Sequence, residues 1–139
     1  MQTFLPFPDF EQSARALDMR RLGKQRIEAE QIWTTLVSGR KAWANHPAVK
    51  MWEGYELALA AYRDTCVREW VRRGYKNTMV FALVHPPLYI PPPWLGDKAF
   101  HRSHQSNLIR KLPEHYEPLF PGVPKDLPYV WPVNLESRA

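Results

Sequence analysis

The chain has 139 residues, of which 45% are hydrophobic and 13% aromatic, and it carries a formal net charge of +5. This composition excludes a disordered chain and predicts a single domain over residues 1–139, with one hydrophobic core. The single cysteine, Cys66, excludes an intramolecular disulfide, and we expect a soluble cytoplasmic protein, without a signal peptide or a membrane partner.

The first ten residues, MQTFLPFPDF, are apolar and contain Pro6 and Pro8. Proline inside a helix removes a hydrogen bond and clashes with the preceding turn, so no regular helix is expected here. The pattern predicts an extended N-terminal segment that lies on the body of the protein.

Hydrophobic periodicity predicts three main helices. The first runs from about Ser13 to Val37, the second from Pro47 to about Arg73, and the third from beyond Asp97 to about Leu112. Residues 76–84 are ambiguous between a short helix and a buried strand. Residues 85–94 and the tail after residue 112 contain too many prolines for a helix or an inner strand. We therefore predict an all-α, single compact domain with proline-rich irregular connectors.

An aromatic stripe follows the second predicted helix at steps of three and four residues. Its members are Trp52, Tyr55, Leu59, Tyr62, Cys66 and Trp70. Such a stripe forms either a core face or a platform that stacks on bases, and helical spacing favours the core. Cys66 is interpreted in the same way, as a small core residue rather than a nucleophile.

The first polar cluster lies on the first helix. Arg21, Lys24 and Glu28 are spaced by three and four residues, so they share one face. Cations beside a carboxylate can bind phosphates and can keep that carboxylate ionised, although solvated ion pairs produce the same pattern. Gly23, inside this helix, would allow a neighbouring backbone or a DNA strand to approach closely.

The second polar cluster spans residues 101–111, HRSHQSNLIRK, on the third helix. His101 and His104 could share a metal ion, but a zinc site needs three or four ligands and the sequence supplies no others nearby. We expect these histidines to make polar contacts, and we expect neither a metal nor a cofactor. Together with the net positive charge, the two clusters indicate a nucleic acid as the partner, which the family resemblance given below identifies as DNA. The candidate DNA contacts are Arg21, Lys24, Arg26, His46, His101, Arg102, His104, Arg110 and Lys111.

Short motifs in a particular order resemble a known family. They are Leu17-Asp18, Ile27-Glu28-Ala29, Asn45-His46-Pro47, Arg72-Arg73-Gly74-Tyr75, and Gly96-Asp97 followed by His101. From the first residues to about residue 112, the chain resembles the pyrimidine-dimer DNA glycosylases, the superfamily of the phage endonuclease V, and within it a bacterial branch. Ile27 departs from the family pattern, which has arginine before the glutamate.

The resemblance implies a DNA repair activity that uses an N-terminal amine and a glutamate. The amine would attack C1′ of a damaged nucleotide, displace the base and form a Schiff base, after which a lyase step would cut the strand. Glu28 corresponds to the catalytic glutamate. Gln2 is too large for the usual removal of methionine, so Met1 would supply the amine or the lyase chemistry would be lost.

Two other functions stay open at this point. A non-catalytic nucleic-acid-binding module would keep the basic faces without the amine chemistry. A metal-dependent enzyme would use His101 and His104 as ligands. The sequence indicates no obligate protein partner.

Overall fold

A computed structural model describes residues 2–39, 44–81 and 89–132. These ranges contain six helices and no strand: α1 (Phe10–Ala16), α2 (Met19–Ser38), α3 (Pro47–Lys50), α4 (Glu56–Arg72), α5 (Lys98–Lys111) and α6 (Pro113–Tyr116). The predicted all-α fold is confirmed, with α2, α4 and α5 as the three main helices. No helix in the described ranges is long and apolar enough to cross a membrane.

The first predicted helix is in fact two helices. Leu17 has extended backbone angles, φ −72° and ψ 138°, so α1 ends before it and α2 begins beyond Asp18. Asp9 caps the start of α1 by accepting hydrogen bonds from the amides of Glu11 and Gln12. The far end of α1 is capped by Arg73, which donates to the carbonyls of two residues in its last turn. Capping groups from a distant part of the chain therefore stabilise a break that periodicity alone does not indicate.

The second predicted helix is also interrupted. The four residues of α3 begin at Pro47 as expected, but residues 51–54 form turns before α4 begins at Glu56. Gly54 has φ +87°, a left-handed conformation that an α-helix cannot contain and that glycine adopts without strain. The prediction of a continuous helix from Pro47 is therefore wrong at residues 51–55, whereas the third predicted helix agrees closely with α5.

The aromatic stripe lies in the core, as predicted. Trp52, Leu59, Tyr62 and Cys66 are fully buried, and Trp70 packs against the core from its edge. Burial raises the pKa of the Cys66 thiol to about 12, which keeps it protonated and unreactive at neutral pH.

The prediction that the tail after residue 112 has no helix is wrong, because Pro113–Tyr116 form the short helix α6, and proline is tolerated in the first turn of a helix. The other predicted connectors have no helix or strand where the structure describes them. Residues 76–84 were ambiguous between a short helix and a buried strand. Residues 76–81 form neither, and 82–84 lie outside the described residues. Of the proline-rich connector, residues 89–94 are irregular and 85–88 lie outside the description.

The N-terminal segment is buried in the core at residues 3–6. Leu5 is fully buried and Phe4 nearly so. A backbone without helix or strand bonds needs other hydrogen-bonding partners once it leaves water. Those partners, supplied by α2, α4 and α5, build the candidate site.

Candidate active site

On α2, Gln25 and Glu28 bind the backbone of residues 2–4. The Gln2 amide donates to Glu28 Oε2 at 3.3 Å, and Gln25 Nε2 donates to the Gln2 carbonyl at 2.7 Å. The Phe4 amide donates to Gln25 Oε1, also at 2.7 Å. Because these side chains are three residues apart on one helix, they reach the same stretch of the N-terminal segment.

Two aromatic side chains hold the same segment from the opposite side. The Tyr62 hydroxyl on α4 donates to the Phe4 carbonyl at 2.7 Å. Trp52, in the turn before α4, donates its indole N–H to Thr3 Oγ1 at 3.1 Å. Both rings are fully buried, so their polar atoms need these partners and fix the depth of the segment in the core.

On α5, His101 and His104 bind the two polar backbone groups of Leu5. The Leu5 amide donates to His104 Nδ1 at 2.9 Å, and His101 Nδ1 donates to the Leu5 carbonyl at 2.7 Å. His101 Nε2 accepts a hydrogen bond from the Gly96 amide at 2.8 Å, which is consistent with the proton residing on Nδ1. Burial lowers the pKa of both imidazoles, that of His104 to about 3, so His104 stays neutral as its acceptor role requires.

A cleft of about 570 Å³ opens where the N-terminal segment meets Glu28. It is lined by Gln2, Phe4, Arg20, Arg21, Lys24, Gln25, Glu28 and Lys111. Four of these side chains are cationic and one is acidic, so the cleft favours an anionic ligand while presenting one carboxylate to it.

Arg21 is held in the wall of this cleft by an ion pair. It lies 3.1 Å from Asp18, which also accepts a hydrogen bond from the Tyr116 hydroxyl. Burial acts to raise the pKa of Asp18, but the hydrogen bond from Tyr116 and the charge of Arg21 outweigh burial and hold it below its usual value. Asp18 therefore stays ionised and keeps Arg21 in place.

The structure brings Arg21, Lys24, Glu28 and Lys111 together, as the two predicted clusters suggest. Met1, the predicted amine, lies outside the described residues. Arg102 and Arg110 are exposed on α5, where Arg110 also binds the Lys125 and Leu127 carbonyls.

The other predicted DNA contacts are engaged within the protein. Arg26 lies 4.2 Å from the Trp70 ring centroid, and His46 caps α3 by accepting from the Ala48 amide at 3.0 Å. His101 and His104 are 4% and 2% exposed, so they hold Leu5 and have no free surface for DNA. For this reason none of these four residues belongs to the interface proposed below.

The site residues chosen from the sequence do not include four residues that line the cleft, Gln2, Phe4, Arg20 and Gln25. Gln25 lies one helical turn before Glu28, and that spacing could have indicated it. Within ranges 2–39, 44–81 and 89–132, no three potential metal ligands (His, Cys, Asp or Glu) cluster together.

The fold and site define an all-α protein with a cationic cleft beside the buried start of its chain. A family model described as pyrimidine dimer DNA glycosylase matches residues 1–83, which include α1 to α4 and Glu28. The chain belongs to the pyrimidine dimer DNA glycosylase family. No curated protein and no solved structure matches it.

Proposed function

We propose that the protein is a DNA repair glycosylase that removes damaged or modified pyrimidines, with an associated abasic-site lyase activity. The Met1 amine is the nucleophile and Glu28 the acid–base and electrostatic residue. The observation that carries this proposal is the 3.3 Å contact between the Gln2 amide and Glu28 Oε2, inside a cleft lined by cations.

Covalent geometry supports the role of Met1. The α-amine of a residue lies at most about 4 Å from the nitrogen of the next residue, whatever the backbone angles. The Gln2 nitrogen is 3.3 Å from Glu28 Oε2, so in the proposed mechanism the amine of the preceding residue acts beside the same carboxylate. The amine and the carboxylate can thus act on one sugar.

The chemistry suits an α-amine better than a lysine. Its ordinary pKa of about 7.7–8.0 leaves a useful fraction uncharged at neutral pH. Its lone pair forms a bond to C1′ while the base departs with the electrons of the glycosidic bond and takes up a proton. Opening of the sugar ring gives a Schiff base, and loss of a C2′ proton then expels the 3′ phosphate. Glu28 stabilises positive charge on the sugar and transfers protons.

DNA binding is assigned to the basic residues that face the cleft or the solvent beside it. Arg20, Arg21, Lys24 and Lys111 line the cleft, and Arg102 and Arg110 extend the positive surface along α5. Lysine and arginine side chains increase the affinity of a protein for DNA because they displace counterions that are condensed on the phosphates. Access to C1′ requires a distorted duplex with a nucleotide extruded, and we assign the cleft of about 570 Å³ to that nucleotide.

Borohydride trapping on duplexes with damaged or abasic sites tests the proposal. The wild-type protein should form a covalent adduct that borohydride reduces, and Glu28→Gln should keep DNA affinity but lose base release at least a hundredfold. Glu53→Gln, which neutralises an exposed glutamate outside the cleft, is the control and should match wild type.

A second test addresses the amine directly. Acetylation of the N-terminus, or a short extension before Met1, should abolish trapping while leaving salt-sensitive DNA binding intact. Full trapping by the extended protein would remove Met1 from the mechanism. DNA binding without any trapped adduct on any lesion would identify a non-catalytic nucleic-acid-binding module.

A further inference from the structure

We propose that Gln25 is a positioning residue whose carboxamide holds the N-terminal backbone and the Glu28 carboxylate in one geometry. This inference rests on the proposed function, because it assigns Gln25 a role in the same reaction. Gln25 is 1% exposed and lies too deep to act on the substrate by itself.

Each end of the carboxamide has partners in the site. Its oxygen accepts from the Phe4 amide, and its nitrogen donates to the Gln2 carbonyl, both at 2.7 Å. The same nitrogen donates to Glu28 Oε2 at 3.3 Å. The Tyr62 hydroxyl lies against the oxygen and closes the network from α4.

The Gln2 backbone, the Gln25 carboxamide and the Glu28 carboxylate therefore form a closed ring of hydrogen bonds. Glu28 Oε2 accepts hydrogen bonds from both the Gln2 amide and Gln25 Nε2, and Gln25 Nε2 also reaches the Gln2 carbonyl. A carboxylate held by two donors has few orientations, and a backbone bound at two successive polar positions cannot slide. A shift of about 1 Å at a reacting centre can cost a hundredfold in rate.

No other side chain of this size makes the same set of bonds. Glutamate keeps the acceptor but, when ionised, offers no donor, and methionine fills the space with neither. Gln25→Glu also places a second carboxylate beside Glu28. Two adjacent carboxylates do not both ionise readily, so the apparent pKa of the pair rises. The charged and titratable groups around this pair are Arg20, Arg21 and Lys24 on α2, Tyr62 on α4, Lys111 on α5 and Tyr129 in the tail.

Gln31 provides a matched control. It lies three residues after Glu28 on α2, as Gln25 lies three residues before, but its side chain is exposed. Gln31→Glu adds the same charge at the same sequence distance without entering the network.

The experiment measures single-turnover base release from a damaged duplex across pH, together with DNA affinity. Gln25→Met should lower the rate constant ten- to a hundredfold while the Kd for DNA changes less than about threefold. Gln25→Glu should move the acid limb of the pH–rate profile upward by about one unit, whereas Gln31→Glu should leave it in place. If Gln25 had only a structural role, its substitution would lower the stability of the protein without moving the pH–rate profile, and that result would overturn the proposal. So would wild-type rate constants and pH profiles in both Gln25 variants.

A second measurement separates this inference from the proposed function and remains available if one variant folds poorly. The pKa of the N-terminal amine is measured by NMR after light isotopic methylation, without DNA. Gln25→Glu should raise that pKa relative to both wild type and Gln31→Glu, because it adds a negative charge beside the Gln2 carbonyl. Absence of trapping by the wild-type protein would reject the proposed function, while an unchanged amine pKa in Gln25→Glu would reject the positioning role. Gln25→Met adds no charge, so any change in the pKa of the amine in this variant reports only the loss of the hydrogen-bond donor.

Discussion

Gly23 illustrates how one missing side chain determines the contact between α2 and α4. A Cβ atom at Gly23 would lie 3.1 and 3.2 Å from two carbon atoms of the Trp70 ring. That ring is held by Arg26 and by its own N–H, which donates to the Lys76 carbonyl at 2.8 Å. The close approach expected from the sequence is thus made by an aromatic ring, not by a backbone or a DNA strand.

We expect Gly23→Ala to destabilise the protein by about 1 kcal/mol. Alanine gains about 1 kcal/mol over glycine in a helix, but overpacking against a held ring costs about 1–3 kcal/mol. Urea unfolding of Gly23→Ala, Trp70→Leu and the double variant measures both effects. In the Trp70→Leu background the alanine should stabilise, and destabilisation there as well would show that Trp70 is not the obstacle.

His104 gives a second prediction at the residue scale, an acid-dependent loss of stability. Its pKa is about 3 in the folded protein, where it is buried, and about 6.5 in an unfolded chain. The unfolded state therefore binds the extra proton between these values, and the stabilisation present above pH 6.5 is lost as the pH falls toward 3. The slope should approach on the order of 1 kcal/mol per pH unit.

The measurement is urea unfolding of wild type and His104→Asn between pH 7 and 4. Asparagine can still accept from the Leu5 amide but does not titrate, so its stability should vary less with pH. Carboxylates with a lowered pKa, such as Glu69 at about 2, also make stability depend on pH, but they do so equally in both proteins. Parallel curves for the two proteins would contradict the role given to His104.

At the scale of elements, α2 and the end of α5 share the cleft although they are far apart in sequence. Lys24 and Lys111 line the cleft from these two helices, and both are exposed. Each should contribute to DNA binding through counterion release rather than through base contacts.

We expect Lys24→Ala and Lys111→Ala each to weaken DNA binding and to reduce the slope of log affinity against log salt by roughly 0.9. Lys98→Ala removes an exposed cation at the opposite end of α5 and is the matched control. Fluorescence anisotropy at several salt concentrations gives the slopes. An equal effect of all three substitutions would indicate a diffuse charge effect and not a cleft.

Much of the element-level description could be predicted from the sequence. The period of apolar residues identifies α2, α4 and α5, and the face shared by Lys24 and Glu28 follows from helical spacing. The break at Leu17 could not be predicted, because Arg73, a distant residue, caps the end of α1 there. The left-handed turn at Gly54 was missed because the three- and four-residue spacing of Trp52, Tyr55 and Leu59 continues across it.

The same limit explains what was missed in the site. His101 and His104 were expected to make polar contacts, and both were also named as candidate DNA contacts. Their actual partner, the backbone of Leu5, lies more than ninety residues away and leaves no periodic pattern. Side chains that bind backbone rather than other side chains are the least visible to sequence reasoning.

At the scale of the whole molecule, the N-terminal segment should be as stable as the fold itself. Leu5 is fully buried and its amide is bonded to His104, so that amide can exchange with solvent only when the core opens. Native-state hydrogen exchange should give Leu5 a free energy of opening equal to that of global unfolding. The amide of Val80, whose residue is 81% exposed, should exchange far faster. A Leu5 value several kcal/mol below the global one would mean that the segment detaches by itself.

The bonds from Leu5 to α5 also set an order of events during synthesis. The ribosome adds His104, the partner of the Leu5 amide, 99 residues after Leu5 itself. At about 5–20 residues per second, Leu5 lacks its partners on α5 for roughly 5–20 s, while α2 and α4 are already being made. Only after α5 has docked is the backbone of Phe4 and Leu5 held by all three main helices, so the last of these helices to be synthesised completes the burial of the segment.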